Sequence, residues 1–129
     1  MATSLGNAKC VQCGYEWGDH DYNCRSREWW FGCRRCGYGE SLDWIADDEG
    51  NRVGWRHDTF DGHGAMWATS AGSGISTFYG LRCTQDVEEA ARSIQEGIAK
   101  GELAESSYVT RWDADAKRAE VVAGKGLEP

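Results

Sequence analysis

One six-residue pattern occurs twice in this chain, first as Cys10-Val11-Gln12-Cys13-Gly14-Tyr15 and again as Cys33-Arg34-Arg35-Cys36-Gly37-Tyr38. Each Cys-x2-Cys pair can hold an ion from one tight turn, and four thiolates complete a tetrahedron without an open position. The glycine after each pair accepts the positive φ that lets backbone N–H groups point at the sulfurs. The spacing, with 19 residues between the pairs, therefore predicts a metal site formed by Cys10, Cys13, Cys33 and Cys36. The alternative is four free buried thiols or disulfides.

Residues 10 to 38 resemble the paired knuckles of zinc ribbons and of the related rubredoxin-like fold. The four cysteines match the ligand positions, Gly14 and Gly37 match the glycines, and Tyr15-Glu16-Trp17 is similar to the aromatic segment of rubredoxins. The resemblance implies either a structural zinc ion in a domain that presents a surface to protein or nucleic acid, or an iron that carries electrons. The spacer is shorter than in rubredoxins, and the second knuckle has Arg34-Arg35 and lacks the usual proline. These departures favour zinc, with iron as the alternative.

Length and composition restrict the classes of protein further. A chain of 129 residues fits one domain or two small subdomains, and its 18 Leu, Ile, Val and Phe residues are few for a purely aliphatic core. A net charge of −7 argues against unassisted, non-specific binding to nucleic acid. The longest uncharged stretch, residues 62–81, is too rich in glycine, serine and threonine for a membrane span. The first residues lack the features of a secretory signal, so we expect a cytoplasmic protein without disulfides.

The two halves of the chain together predict an α+β fold. Residues 1–64 contain five Trp and five Cys, and we expect a zinc-ribbon-like β subdomain with a hairpin of residues 41–46 and 52–57. Residues 65–129 predict a small α+β subdomain: a strand at 75–83, a helix at about 87–100, and a hairpin of 108–112 and 118–123. Asp86 and Glu89 are the expected capping pair of the helix, and Gly101 its end. The glycine-rich segment 62–74 is the expected joint.

A basic and aromatic strip accompanies the second knuckle. Its predicted partner-binding residues are Arg25, Arg27, Trp29, Trp30, Arg34 and Arg35, and an opposite, acidic pole carries Asp47 and Asp48. Such a strip can stack unpaired bases and neutralise phosphates, or it can anchor a protein interface. A third alternative is that the arginines balance the charge of a zinc tetrathiolate while the rings form the core.

We expect no enzymatic activity. No set of residues assembles a nucleophile, a base and an oxyanion stabiliser, and a four-cysteine site leaves its ion no open position. Cys24 and Cys83 are expected to be buried thiols rather than nucleophiles that act with His57 or His63. The segments 19–21 and 57–63, which carry aspartates and histidines, are expected to be solvated loops.

The sequence therefore predicts a binding module. The first hypothesis is a zinc-ribbon protein that contacts a protein partner, as an adaptor or inhibitor of nucleic-acid machinery; it resembles small acidic accessory proteins of bacteria and their phages. The alternatives are a single-strand nucleic-acid binder that uses the strip of residues 25–38, and a rubredoxin-like electron carrier with iron. We expect neither a small-molecule substrate nor a contact with a membrane.

Overall fold

A computed structural model describes residues 3–125, and this part of the chain contains nine strands and one helix. In chain order the elements are β1 (Thr3–Ala8), β2 (Gly18–Asn23), β3 (Trp29–Gly32), β4 (Gly39–Ala46), β5 (Arg52–Phe60), β6 (Gly64–Thr69), β7 (Ser76–Leu81), α1 (Thr84–Ala99), β8 (Tyr108–Asp113) and β9 (Arg118–Gly124). The strands form two antiparallel sheets, and the single helix packs on the second. The predicted α+β class is confirmed.

The first sheet contains β1 to β5, and each strand pairs with the next along the chain. The predicted hairpin of β4 and β5 is confirmed, and its turn is fixed by Asp47 Oδ1, which accepts the N–H groups of Glu49 at 3.0 Å and Asn51 at 2.8 Å. The sequence analysis does not predict β1 and β2, because these short polar segments contain glycine and lack strand-like alternation. Residues 19–21 lie in β2 and residues 57–60 in β5, so the prediction of solvated loops there is wrong.

The second sheet has the strand order β7-β6-β8-β9, and the predicted hairpin of β8 and β9 is confirmed. Its core against α1 contains Leu81, Val87, Ile94, Val109 and Ala123. β6 lies in the interior of this sheet, so the prediction that residues 62–74 form a joint is wrong for Gly64–Thr69. Close packing explains the glycine there, because a Cβ on Gly64 would lie 2.1 Å from the carbonyl oxygen of Thr110.

The helix begins at Thr84, earlier than expected. Its N-cap is Cys83, which makes no side-chain cap hydrogen bond, so the predicted capping pair of Asp86 and Glu89 is wrong. Asp86 instead lies in the first turn, where a carboxylate interacts favourably with the helix dipole. The predicted end at Gly101 is confirmed: its φ is +75°, and its N–H donates to the carbonyl oxygen of Ile98 at 3.1 Å.

Candidate metal centre

The four predicted cysteines meet at one end of the first sheet. Their Sγ atoms all lie within 4.8 Å of one another, with 3.6 Å between those of Cys10 and Cys36 and 3.5 Å between those of Cys13 and Cys33. Around an ion with bonds of about 2.3 Å, a tetrahedron has sulfur–sulfur edges of about 3.8 Å. All four are free thiols rather than disulfides. The donor set therefore fits a tetrahedral thiolate site.

Two turns of the same geometry position the sulfurs. In the first knuckle, residues 10–15, the N–H of Cys10 donates to Tyr15 O at 2.8 Å, and that of Gly14 donates to Cys10 O at 2.9 Å. In the second knuckle, residues 33–38, the corresponding bonds join Cys33 to Tyr38 and Gly37 to Cys33, at 2.9 and 3.0 Å. The φ angles of Gly14 and Gly37 are +78° and +82°, as the pattern predicts. The repeated sequence therefore folds into a repeated structure.

Four thiols this close cannot all ionise without a cation. Hydrogen bonds from the other thiols, that of Cys13 first, lower the pKa of the Cys10 thiol. Hydrogen bonding to Cys10 raises the pKa of the Cys33 and Cys36 thiols instead. The first thiolate is stabilised by its neighbours and opposes the ionisation of the next. A bound divalent cation removes this conflict, because it stabilises every thiolate at once.

The second knuckle packs against the second sheet through its backbone. Three of its carbonyl oxygens accept hydrogen bonds from distant side chains: that of Arg34 from Tyr108 Oη at 2.9 Å, that of Arg35 from Thr110 Oγ1, and that of Gly37 from Arg82 Nη1 at 3.3 Å. A Cβ on Gly37 would lie 1.8 Å from the carbonyl oxygen of Gly64. The sequence analysis missed Tyr108, Thr110 and Arg82, because their donor groups act on backbone atoms more than 40 residues away and follow no motif.

The first knuckle is exposed by comparison. A Cβ on Gly14 would come no closer than 4.0 Å to its nearest neighbour, Lys9 Cε. Gln12 attaches this knuckle to the rest of the molecule, since its side-chain amide donates to Gly62 O at 3.0 Å and accepts from Gly62 N at 3.3 Å. Val11 is 76% exposed. One end of the metal centre is therefore buried, and the other forms part of the surface.

Two of the predicted partner-binding arginines make internal contacts. Arg34 donates from Nε and Nη2 to the Asp19 carboxylate at 2.7 and 2.8 Å, and this hydrogen bond raises the pKa of Arg34. Its guanidinium also lies 4.5 Å from the ring centroid of Trp67. The guanidinium of Arg35 lies 4.5 Å from the ring centroid of Tyr15. Both side chains help to join the second knuckle to neighbouring elements.

The structure does not keep the rest of the predicted strip together. Arg25 and Arg27 are exposed in the turn between β2 and β3, at the end of the sheet away from the knuckles. Trp29 and Trp30 are successive residues of β3, so their side chains point to opposite faces.

Asp47 and Asp48 lie near two of the predicted arginines, Arg25 and Arg27. They are exposed in the turn between β4 and β5, and Leu42 of β4 pairs with Trp29 at the start of β3. Trp44 Nε1 also donates to Ser26 O at 2.7 Å, which ties the end of β4 to the turn that carries Arg25 and Arg27. The turn with Arg25 and Arg27 and the acidic turn therefore lie at the same end of the sheet, whereas Arg34 and Arg35 lie at the other end.

The remaining candidate residues do not join the metal centre. Cys24 and Cys83 are exposed, so the prediction that they are buried thiols is wrong. His57 Nε2 lies 2.7 Å from Glu40 Oε2 on β4. His63 is exposed, and its backbone takes part in hydrogen bonds with Leu81 and Trp112.

Comparison with family models, with curated proteins and with solved structures gives no match for this chain. The likeness to a zinc-ribbon knuckle therefore rests on the four cysteines and the two turns that hold them. Within residues 3–125, no helix is long and apolar enough to cross a membrane.

Proposed function

We propose that this chain is a non-catalytic binding module whose scaffold is fixed by a structural zinc ion on Cys10, Cys13, Cys33 and Cys36. The observation that supports this function is the convergence of four Sγ atoms within 4.8 Å, three of them on cysteines with no more than 1% of their surface exposed. Zinc accepts four tetrahedral thiolates and, once bound in this way, has no open position for a substrate. The ion would cross-link the two knuckles.

Zinc is proposed over iron because of the second knuckle. Arg34 and Arg35 stand between its cysteines, and their guanidinium groups are held by Asp19, Trp67 and Tyr15. Two cationic residues within the knuckle would balance the negative charge that remains after zinc is bound. Iron in the same site would make the protein a coloured electron carrier, which is the alternative function.

Metal analysis tests this part of the proposal. We expect a colourless protein with one zinc per chain, and we expect Cys33→Ser to lose most of the bound zinc. Cys24→Ser is the matched control, because Cys24 is exposed and lies outside the cluster. A red, iron-containing sample, or equal zinc content in both variants, would contradict the proposal.

We propose that the partner is a protein that contacts the first knuckle. Val11 is 76% exposed and Trp17, which follows the same knuckle, is 61% exposed. Gly14, Tyr15, Glu16, Trp17 and Arg35 line a shallow cavity of about 280 Å³ at this knuckle. Exposed apolar anchors beside a cavity are typical of protein interfaces, in which Trp contributes a large share of the affinity. An adaptor or inhibitor of nucleic-acid machinery would act through such a surface.

Partner capture on the zinc-loaded protein tests this surface. We expect a stoichiometric protein to be recovered by the native chain and lost with the double substitution Val11→Ser and Trp17→Ser. Reversal of charge at Asp47 and Asp48, which lie at the other end of the sheet, is the control and should leave recovery unchanged. The opposite result would move the interface to the acidic turn, and equal recovery in both variants would exclude both surfaces.

A further inference from the structure

A row of aromatic rings lies on one face of the first sheet. Residues that pair across neighbouring strands point to the same side, and this register places the following rings together: His20, Tyr22, Trp29, Trp44, Trp55 and His57. We call this surface the aromatic face. The ring centroids of Trp44 and Trp55 are 3.7 Å apart, and that of Trp29 is 5.7 Å from His20 and 6.0 Å from His57.

The carboxylates of the sheet are concentrated on the other face. The register places four aspartates there: Asp19, Asp21, Asp43 and Asp58. Among the described strand residues, Glu40 is the one acid on the aromatic face, and its two oxygens are bonded to His57 Nε2 at 2.7 Å and Tyr38 Oη at 3.1 Å. The aromatic face therefore carries little of the chain's excess negative charge.

Two cations border the aromatic face. The guanidinium of Arg52 lies 5.1 Å from the ring centroid of Trp44. At the other side of the row, Lys9 lines a cavity of about 170 Å³ together with His20 and Trp29. The acidic turn of residues 47–49 lies at the end of β4, on the far side of Arg52 from the aromatic row. Because this turn would repel a polyanion, a polyanion on this face would extend from Trp55 towards Lys9.

The aromatic face remains open in the described part of the chain. The second sheet contacts the opposite side, where the Trp30 ring centroid lies 6.4 Å from that of Phe78 and Arg34 stacks on Trp67. Trp55 is 39% exposed, and the side chain of His57 is 53% exposed. Partly exposed indoles next to cations are groups that bind unpaired bases and their phosphates.

We propose that the aromatic face binds single-stranded nucleic acid. Bases would stack on Trp55 and Trp29, and Arg52 and Lys9 would contact phosphates. A duplex keeps its bases stacked inside and requires a longer cationic surface, which a chain of net charge −7 does not offer here. If the ligand were a peptide, the segregation of acidic residues to the other face would have no function. Val11 of the proposed protein contact also lines the cavity that contains Lys9, so the two sites adjoin there. The proposal for the aromatic face does not depend on the protein contact.

Fluorescence anisotropy with a labelled oligothymidylate of about 12 nucleotides tests the proposal on the zinc-loaded protein. We expect Trp55→Ala to weaken binding about tenfold or more, because one stacking platform is lost. Trp17→Ala is the matched control, since it removes an exposed indole outside the aromatic face. Far-UV circular dichroism and zinc content verify that each variant folds.

Salt dependence tests the cations separately. With two phosphate contacts, the plot of log affinity against log salt should have a slope of about −1.4, and Arg52→Ala should reduce the slope to about −0.7. Arg56→Ala is the control, because Arg56 lies on the same strand and points to the opposite face. No binding at low salt, equal affinity for a duplex of the same length, or equal losses in target and control variants would each overturn the proposal. Binding of a peptide instead of the oligonucleotide to this face would overturn it too.

Discussion

The two knuckles share a sequence pattern and a hydrogen-bonding pattern, yet they occupy opposite environments. The first lies at the surface, where a Cβ on Gly14 would meet its nearest neighbour at 4.0 Å. The second lies against the second sheet, where a Cβ on Gly37 would lie 1.8 Å from a backbone oxygen. The motif therefore fixes how each turn positions its two sulfurs, whereas the surroundings decide how much each position contributes to stability.

Removal of the ion is the largest change that tests this comparison, because it acts on both knuckles at once. A structural zinc site contributes on the order of 10 kcal/mol to folding. We expect a strong chelator to unfold residues 1–64 and to leave α1 partly intact, since the Val87 and Ile94 core does not involve the metal. Tryptophan fluorescence and circular dichroism report the two events. Unchanged spectra after verified metal loss would refute the proposed role of the site.

Equivalent glycines provide the next largest contrast. Gly14→Ala should cost about 1–2 kcal/mol, the strain of a left-handed residue with a Cβ. Gly37→Ala adds to this strain a collision with the backbone of Gly64, and a loss of about 4 kcal/mol or more is expected. Denaturant unfolding of the zinc-loaded variants measures both. Equal losses would show that the second knuckle can move away from the second sheet without cost.

The side chains that attach each knuckle provide a smaller contrast. Thr110→Val keeps the shape of a residue that is 3% exposed, but removes the hydroxyl that donates to Arg35 O and accepts from Ala65 N. We expect a loss of about 2–3 kcal/mol, because buried backbone groups lose their partner. Gln12→Ala removes the two bonds to Gly62 at a part-exposed site, and about 1 kcal/mol is expected. Thermal or denaturant unfolding measures both losses. A larger loss of stability with Gln12→Ala than with Thr110→Val would contradict the expected difference between the knuckles.

The local features of the fold and site could be predicted from the sequence. Cysteine spacing, the glycines with positive φ, the β4–β5 and β8–β9 hairpins and the end of α1 at Gly101 all follow from residues close in the chain. These features depend on turn geometry and periodicity, and both can be recognised within one short segment of the sequence.

The long-range features could not be predicted. The glycines around β6 resemble those of a flexible joint. Gly64, its first residue, is instead required because the backbone of Thr110 lies too close for a side chain. The attachment of the second knuckle depends on Tyr108 and Thr110, which approach it only after the second sheet has formed. The split of the aromatic strip between two faces follows from the alternation of side chains along β3, which composition does not reveal.

Val11 and Arg34 are equivalent residues, each following the first cysteine of its knuckle. We expect the smallest difference in stability between the knuckles at this position. Arg34→Ala removes a bidentate pair with Asp19 whose side chains are 35% and 26% exposed, so solvent screening limits the expected loss to about 1 kcal/mol. Val11→Ala removes a side chain that is 76% exposed, and the free energy of unfolding should stay within about 0.5 kcal/mol of the native value. Chemical denaturation at matched zinc occupancy measures both changes. If Val11→Ala destabilises as much as Arg34→Ala, the first knuckle is not the free surface that the proposed protein contact requires, because Val11 would then be buried against another part of the chain.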